Sequence, residues 1–241
     1  MLSFFREGNR RDGSARSGEG PAPQPSAALQ QMAGRLKTIE RPNLLDLGPL
    51  CGGNIQFFAS QGCRVFVEAA EDLRRLPRPA PTPAVTRTTG QHLAAGVALD
   101  RSRIPAAAPV AGQGSAIAVA EQRIAFSYPN AHFDGILLWD VADYLLDARA
   151  KELGQEMGRL CRGGALLLMF SDARKQPAVE PLLRYRLTDA GAVLLEPFAG
   201  APIVRIAREN RDLFRLFEGF EVVKCTLLRN QLREILLQSR S

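Results

Sequence analysis

The chain of 241 residues contains little of what usually reveals a metal centre, a disulfide framework or a membrane segment. It has only two histidines and four cysteines, and no two cysteines form a Cys-x-x-Cys pair. Such scattered cysteines predict reduced thiols, and neither a zinc site nor a disulfide scaffold. No apolar run approaches the ~18 residues that a membrane-spanning helix needs. Because the first residues also lack the apolar stretch of a secretory signal, we expect a cytoplasmic protein without a membrane span.

Positive charge is present but is not concentrated in one place. The net charge is +6, and residues 1–41 contain seven Lys or Arg and four Asp or Glu, a surplus of three. The other 200 residues share the rest of the surplus. A protein that binds nucleic acid usually gathers its positive charge on one face or in one run. The sequence therefore predicts no nucleic-acid patch.

Composition divides the chain into a tail and one domain. Residues 1–26 are rich in Gly, Ser, Pro and Arg, and we expect them to be disordered. Hydrophobic residues make up 46% of the chain, enough for residues 27–241 to build one core. A Pro- and Ala-rich stretch at about 77–113 contains six prolines. We interpret it as a long irregular insertion within the domain.

Hydrophobic periodicity and turn residues predict the main elements of the domain. Residues 27–39 and 147–161 have the spacing of amphipathic helices. Residues 185–196 are predicted to form a hairpin with a turn at Asp189-Ala190-Gly191. Asn210 is predicted to cap a helix that runs to Phe217. Residues 220–228 and 233–237 are predicted to form two antiparallel strands at the end of the chain.

The most informative segment is a short apolar run that ends in glycines. Residues 44–47 predict a buried parallel strand, and residues 54–60 suit a short helix whose free N–H groups point back at the turn. Between them, Gly48, Gly52 and Gly53 would let the backbone pass close to a ligand. A second strand, 63–67, leads to Glu68, which follows Gly48 by 20 residues. At this spacing a carboxylate meets the ribose of a nucleotide bound over the first turn.

The stretch 46–52 resembles motif I of class I S-adenosylmethionine-dependent methyltransferases, an acidic residue followed by a Gly-x-Gly-x-Gly loop. The middle glycine of that pattern is Leu50 here. A fingerprint of the NAD type would need glycine at positions 48, 50 and 53, and it also fails at Leu50. The resemblance implies S-adenosylmethionine as the cofactor, bound by Asp46, Gly48, Gly52, Gly53 and Glu68.

Two later segments resemble the same family. Residues 126–141 resemble its fourth strand, and residues 160–170 resemble the helix end, Gly-Gly turn and fifth strand that follow. Together the segments imply an α/β fold, a Rossmann-like methyltransferase sandwich with a mostly parallel sheet and an antiparallel C-terminal hairpin. Residues 116–120 are the candidate third strand, which makes Glu121 and Gln122 candidates for contact with adenine. Trp139 is a candidate to flank the adenine or the methyl acceptor, although a core tryptophan is a common alternative.

The best-placed polar residue is Asp140, at the carboxyl end of the fourth strand, where ligands sit in open α/β sheets. It is our candidate catalytic residue, able to contact the cofactor amine, orient an acceptor or take its proton. The alternative is that it caps the next helix. Many relatives carry Val-Leu-Glu-His just after this position, whereas this chain has Val141-Ala142-Asp143-Tyr144, so the histidine is missing.

The function predicted from these residues is methyl transfer to a small-molecule or protein acceptor that the sequence does not identify. A non-catalytic relative that serves as a scaffold or partner-binding module is the main alternative. Leu50, the missing histidine and the irregular insertion favour that alternative. A nicotinamide-dependent oxidoreductase is a third interpretation, which Leu50 disfavours.

Overall fold

The structure is a computed structural model that describes residues 22–70, 123–188, 191–198, 202–228 and 230–240. Most of the predicted tail, the predicted insertion at 77–113 and the adenine candidates Glu121 and Gln122 lie outside the described residues. Within the described ranges, no helix is long and apolar enough to cross a membrane.

The helices and strands are numbered in chain order. The first half contains β1 (Gln24–Pro25), α1 (Ala27–Leu36), β2 (Asn43–Asp46), α2 (Gly52–Ala59), β3 (Arg64–Val67) and β4 (Phe133–Trp139). A 3₁₀ turn at Val141–Tyr144 leads into α3 (Asp147–Leu160), β5 (Cys161–Asp172), β6 (Ala178–Glu180) and β7 (Leu183–Leu187). The remaining elements are β8 (Ala192–Pro197), β9 (Ile203–Arg205), α4 (Asn210–Leu216), β10 (Phe220–Leu227) and β11 (Leu232–Ser239).

A six-stranded sheet of order β3-β2-β4-β5-β11-β10 forms the centre of the domain. The four strands β3, β2, β4 and β5 are parallel. Strand β11 pairs antiparallel with β5, and β10 pairs antiparallel with β11. This topology confirms the predicted fold class, an α/β sandwich with a Rossmann-like, mostly parallel sheet and an antiparallel C-terminal hairpin.

Two buried clusters cover the two faces of this sheet. On one face, Met32 and Leu36 of α1 pack with Leu137 of β4, together with residues of the hairpin β7–β8. On the other face, Leu153 and Met157 of α3 belong to a cluster that includes residues of α4. The strand β4 is buried along its whole length. A strand covered on both faces has no polar alternation, which explains its nearly continuous apolar sequence.

The described residues begin inside the segment that the sequence assigned to the tail. Gln24 and Pro25 pair with the start of β8. The Ser26 hydroxyl caps α1 by accepting a hydrogen bond from the Leu29 amide at 3.0 Å. The same hydroxyl donates to the carboxylate of Glu234, a fully buried residue of β11. The boundary at 26 therefore differs from the structure, because the contact that holds Ser26 comes from a strand 208 residues away.

Two predicted helix ends differ from the observed ones. Glu209, and not Asn210, is the cap of α4. The Asn210 side chain instead accepts a hydrogen bond from Arg233, a long-range partner that no local signal reveals. The glycine pair at 163–164 does not close α3, since the chain passes directly from Leu160 into β5 and carries both glycines within the strand.

Candidate functional site

The parallel strands bring those predicted site residues that the structure describes to one edge of the sheet, at the carboxyl ends of the strands. The chain turns from β2 to β3 on one side and returns to β4 on the other, so the strand order reverses between β2 and β4. Ligands of open α/β sheets bind at such a reversal. We call residues 46–54 with Glu68 the glycine-loop end. We call residues 140–144 with Asp172 the acidic end.

Asp46 organises the glycine loop from within. Its Oδ1 atom accepts hydrogen bonds from the Gly48 amide at 2.9 Å and from the Trp139 indole at 2.6 Å. The side chain of Asn54 lies 3.4 Å from its Oδ2 atom. Asp46 is only 1% exposed. The structure thus places this predicted cofactor residue beneath the loop, where it holds the backbone in shape.

The three predicted loop glycines have different surroundings. A Cβ atom on Gly48 would lie 2.7 Å from the Trp139 indole nitrogen, so the tryptophan requires glycine there. A Cβ atom on Gly52 would meet nothing within 4 Å. Gly52 and Gly53 are exposed in the first turn of α2, where backbone N–H groups have no partner within the helix. The open part of the loop is therefore its helical end.

Trp139, the only tryptophan of the chain, occupies a core position. Its indole lies nearly parallel to the rings of Phe170 and Tyr185, at centroid distances of 6.1 and 5.1 Å, and those two rings stack on each other at 5.1 Å. It is 1% exposed and has a positive φ of 54°, which is unusual for a bulky residue. Because the indole is almost fully buried, it has no exposed face that an adenine or an acceptor could contact in this arrangement.

The hairpin β7–β8 is fixed to the glycine loop by one side chain. Asn54, in the first turn of α2, donates to the Tyr185 carbonyl at 2.9 Å and accepts from the Leu187 amide at 2.8 Å. This pair of bonds satisfies backbone groups of β7 in the way a neighbouring strand would. Sequence reasoning missed this contact, although Asn54 directly follows the glycines.

Glu68 lies where the spacing predicted, directly after β3. Its amide donates to the Asp46 carbonyl at 2.9 Å, which ties it to the glycine loop. Its Oε1 atom accepts a hydrogen bond from the Tyr128 hydroxyl at 2.8 Å. The residue is half-buried and lies at the same edge of the sheet as the exposed glycines.

At the acidic end, the carboxylates are buried and bonded to other groups of the chain. Asp140 is fully buried, and its Oδ2 atom accepts from the Arg205 guanidinium at 2.6 Å and from the Tyr144 hydroxyl at 2.9 Å. Its side chain makes no capping hydrogen bond to the turn that follows, which removes the capping alternative. In this structure the predicted catalytic residue is thus hydrogen-bonded to Arg205 and Tyr144.

Asp143 lies three residues further on and is also fully buried. Its Oδ2 atom accepts from the Asp172 amide at 2.7 Å, which links the turn after β4 to the end of β5. Burial raises the pKa of Asp143 to about 7, although the Asp172 amide and the charge of Arg205 act in the opposite direction. This is the range in which a carboxyl group exchanges protons at neutral pH.

A short two-stranded sheet, β6–β9, covers the acidic end. Arg174 joins Asp172 to Glu180 of β6, and Arg205 of β9 lies 3.9 Å from Glu180. Beneath it, the hydroxyl of Tyr185 is buried and has no hydrogen-bond partner within the described residues. Sequence reasoning did not single out Arg205 or Tyr185, because both come from a segment distant in sequence from the strand ends they cover.

Within the described ranges, no group of three or more His, Cys, Asp or Glu side chains is arranged to hold a metal ion. His132 stacks on Tyr128 in an aromatic cluster below Glu68, away from the acidic end.

No family model matches the chain, and no curated protein matches it. Among solved structures, a protein of Pyrococcus horikoshii, PH0226, is 11% identical with a TM-score of 0.47, covering 88% of this chain and 89% of that one. A SAM-dependent methyltransferase of Methanosarcina mazei is 14% identical with a TM-score of 0.47, covering 90% and 99%. The N-methyltransferase NodS of Bradyrhizobium japonicum, solved with S-adenosylhomocysteine, is 14% identical with a TM-score of 0.43, covering 88% and 84%. What this chain does must therefore be inferred from its own residues.

Proposed function

We propose that this chain is an S-adenosylmethionine-dependent methyltransferase that binds its cofactor at the glycine-loop end. One observation carries the proposal. The exposed N-terminus of a helix and a half-buried carboxylate lie at the same edge of the sheet, where the strand order reverses between β2 and β4. Gly52 and Gly53 supply the exposed first turn of α2, and Glu68 directly follows the neighbouring strand β3. This combination suits a nucleoside whose ribose hydroxyls bind a carboxylate.

The described residues fit such a cofactor. Glu68 would accept hydrogen bonds from the ribose hydroxyls, while the amides of Gly52 and Gly53 would face a carboxylate group of the ligand. Asp46 would act indirectly, by holding the loop through the Gly48 amide. When bound, the cofactor supplies a methyl group already activated by the sulfonium. The protein then has to hold an acceptor atom in line with that methyl group, so positioning supplies much of the rate.

For the acidic end we propose separate roles for its two buried carboxylates. Asp140 holds Arg205, and through it β9, over the strand ends. Asp143 is the better candidate for taking a proton from an acceptor, because burial raises its pKa to about 7. This role of Asp143 requires β6–β9 to move aside when an acceptor enters, since its carboxylate is fully buried in this structure. The acceptor is a small molecule or a protein.

A non-catalytic scaffold is the second candidate, and one observation favours it. The ion pair between Asp140 and Arg205 fills the end of the sheet at which an acceptor would react. A chain that had lost catalysis would keep its fold while its own side chains occupied that end. The enzyme should bind the cofactor at the glycine-loop end, whereas the scaffold should not.

Calorimetric titration of the purified chain with S-adenosylhomocysteine separates them. We expect a micromolar dissociation constant, roughly −8 kcal/mol, and no binding of NADH. Glu68→Ala should lose ~1.5–3 kcal/mol of binding, because it removes a hydrogen bond to a charged group. Methyl transfer from labelled S-adenosylmethionine to components of a cell extract, with Glu68→Ala as the control, then reports catalysis. If millimolar ligand produces neither heat nor a thermal shift, the scaffold replaces the enzyme as the better interpretation.

A further inference from the structure

The carboxylate of Glu68 is fixed in space by a tyrosine that sequence reasoning did not single out. The Tyr128 hydroxyl donates to Glu68 Oε1 at 2.8 Å, and the Glu68 amide is held by Asp46 at 2.9 Å. Both ends of the glutamate are therefore tethered. A side chain with this length and flexibility would otherwise sample several rotamers, each of which points the carboxylate elsewhere.

Tyr128 is itself held by its surroundings. Its ring packs edge-on against Phe66 and Phe133, at centroid distances of 5.7 and 5.0 Å, and stacks on His132 at 5.8 Å. Its carbonyl accepts a hydrogen bond from Arg159 of α3 at 2.8 Å. These contacts come from two strands and a helix, so they restrict the position of the Tyr128 hydroxyl.

The segment that leads to Tyr128 is also anchored on α3. The amide of Ile124 donates to Glu152, and the amide of Phe126 donates to Glu156, both at 2.8 Å. Arg159 adds a bond to the Phe126 carbonyl at 3.0 Å. A run of backbone fastened this closely to a helix has little freedom to withdraw the tyrosine from Glu68.

We propose that Tyr128 is a positioning residue that aligns the Glu68 carboxylate with the ribose diol of the cofactor. The inference rests on the proposed function and goes beyond it by naming the residue that prepares the ribose site. The hydroxyl occupies Oε1, which leaves Oε2 to accept from the ribose. Orientation set before binding spares the ligand the cost of ordering the carboxylate.

The proton chemistry of Tyr128 is compatible with this role. Burial raises its pKa to about 12, and its hydrogen bond to Glu68 and the charge of that carboxylate add to the effect. The hydroxyl therefore keeps its proton, and remains a donor, at any pH used for an assay.

The test compares Tyr128→Phe with the wild-type chain by calorimetric titration with S-adenosylhomocysteine and its 2′,3′-dideoxy analogue. Phenylalanine keeps the ring packing and removes only the hydroxyl, and a thermal melt checks that the variant folds. We expect the affinity for S-adenosylhomocysteine to fall about 5- to 10-fold, as for one lost hydrogen bond. The affinity for the dideoxy analogue should not change, because that ligand has no diol to align.

Two further variants complete the design. Glu221→Gln removes a carboxylate that is 70% exposed on β10, at the opposite edge of the sheet from β3, and it should leave both affinities unchanged. Tyr128→Phe combined with Glu68→Gln should bind no more weakly than Glu68→Gln alone. Equal losses for both ligands in Tyr128→Phe, or no loss for either, would overturn this inference alone. Absence of binding by the wild-type chain would overturn the proposed function and this inference together.

Discussion

The glycine-loop end and the acidic end both lie at the carboxyl ends of the parallel strands, but they differ in how far their polar groups are buried. At the glycine-loop end, Gly52 and Gly53 are exposed and Glu68 is half-buried. At the acidic end, Asp140 and Asp143 are fully buried. The first end presents polar groups to solvent, whereas the second has them paired and covered by β6–β9.

This difference indicates what each end does in the structure as it stands. The exposed amides and the tethered carboxylate of the glycine-loop end are the groups that the proposed function assigns to a ligand. Buried charges that are paired with each other contribute to the fold, and removing one partner leaves the other uncompensated. We therefore expect substitutions at the acidic end to change stability, and substitutions of Glu68 to change ligand affinity.

The largest effect is expected from Arg205→Met. It leaves the buried carboxylate of Asp140 without its guanidinium partner, which should destabilise the chain by ~3–5 kcal/mol in chemical denaturation. Adding Asp140→Leu should restore much of the loss, because the double variant no longer contains that unpaired charge. Arg211→Met, at a guanidinium that is 72% exposed, is the control and should be nearly neutral. A comparable loss in the control would show that charge number, and not the buried pair, determines stability.

Asp143→Asn should reveal a dependence on pH. The folded pKa of Asp143 is about 7, above the ordinary value of 3.8, so the stability associated with its protonated form is lost as pH rises from about 4 through 7. Asparagine does not titrate. The wild-type chain should therefore lose as much as ~3 kcal/mol relative to the variant between pH 5 and pH 8. Melting curves of both at the two pH values check this, with the half-exposed Asp212→Asn as the control. A constant difference between wild type and Asp143→Asn would contradict the assignment.

A smaller effect is expected from Gly48→Ala. The added methyl group would lie 2.7 Å from the Trp139 indole nitrogen, and overpacking of this kind costs ~1–3 kcal/mol. Gly52→Ala is a matched control in the same loop, because no atom lies within 4 Å of its added Cβ. Tryptophan fluorescence followed during urea unfolding reports the core directly, since Trp139 is the only tryptophan. Equal effects of the two substitutions would mean that the indole does not determine the choice of glycine at 48.

Much of the fold was predictable because its signals are local. The apolar runs indicated the parallel strands, and the helical spacing of residues 27–39 indicated α1, which the structure has at Ala27–Leu36. The terminal antiparallel pair was expected from residues 220–237 and is present as β10 and β11. Each of these features depends on neighbours within a few residues, which a sequence displays directly.

The site was less predictable because its polar groups find partners far along the chain. Asp140 meets Arg205 across 65 residues, and Glu68 meets Tyr128 across 60. Sequence spacing located both carboxylates at the ends of their strands. It did not indicate that Asp140 would pair with an arginine or that Glu68 would accept a hydrogen bond from a tyrosine. Such long-range pairings form only when the sheet assembles.

The most direct test of the contrast is the affinity for S-adenosylhomocysteine of two variants, one from each end. Glu68→Gln and Asp143→Asn are both nearly isosteric and both remove a carboxylate. Calorimetric titration at pH 7 should show binding weakened by ~10-fold or more in Glu68→Gln, as expected for a lost hydrogen bond to a charged group. Asp143→Asn should bind like the wild-type chain. If Asp143→Asn lost affinity while Glu68→Gln retained it, the cofactor would bind at the acidic end, and the proposed division of roles between the two ends would be wrong.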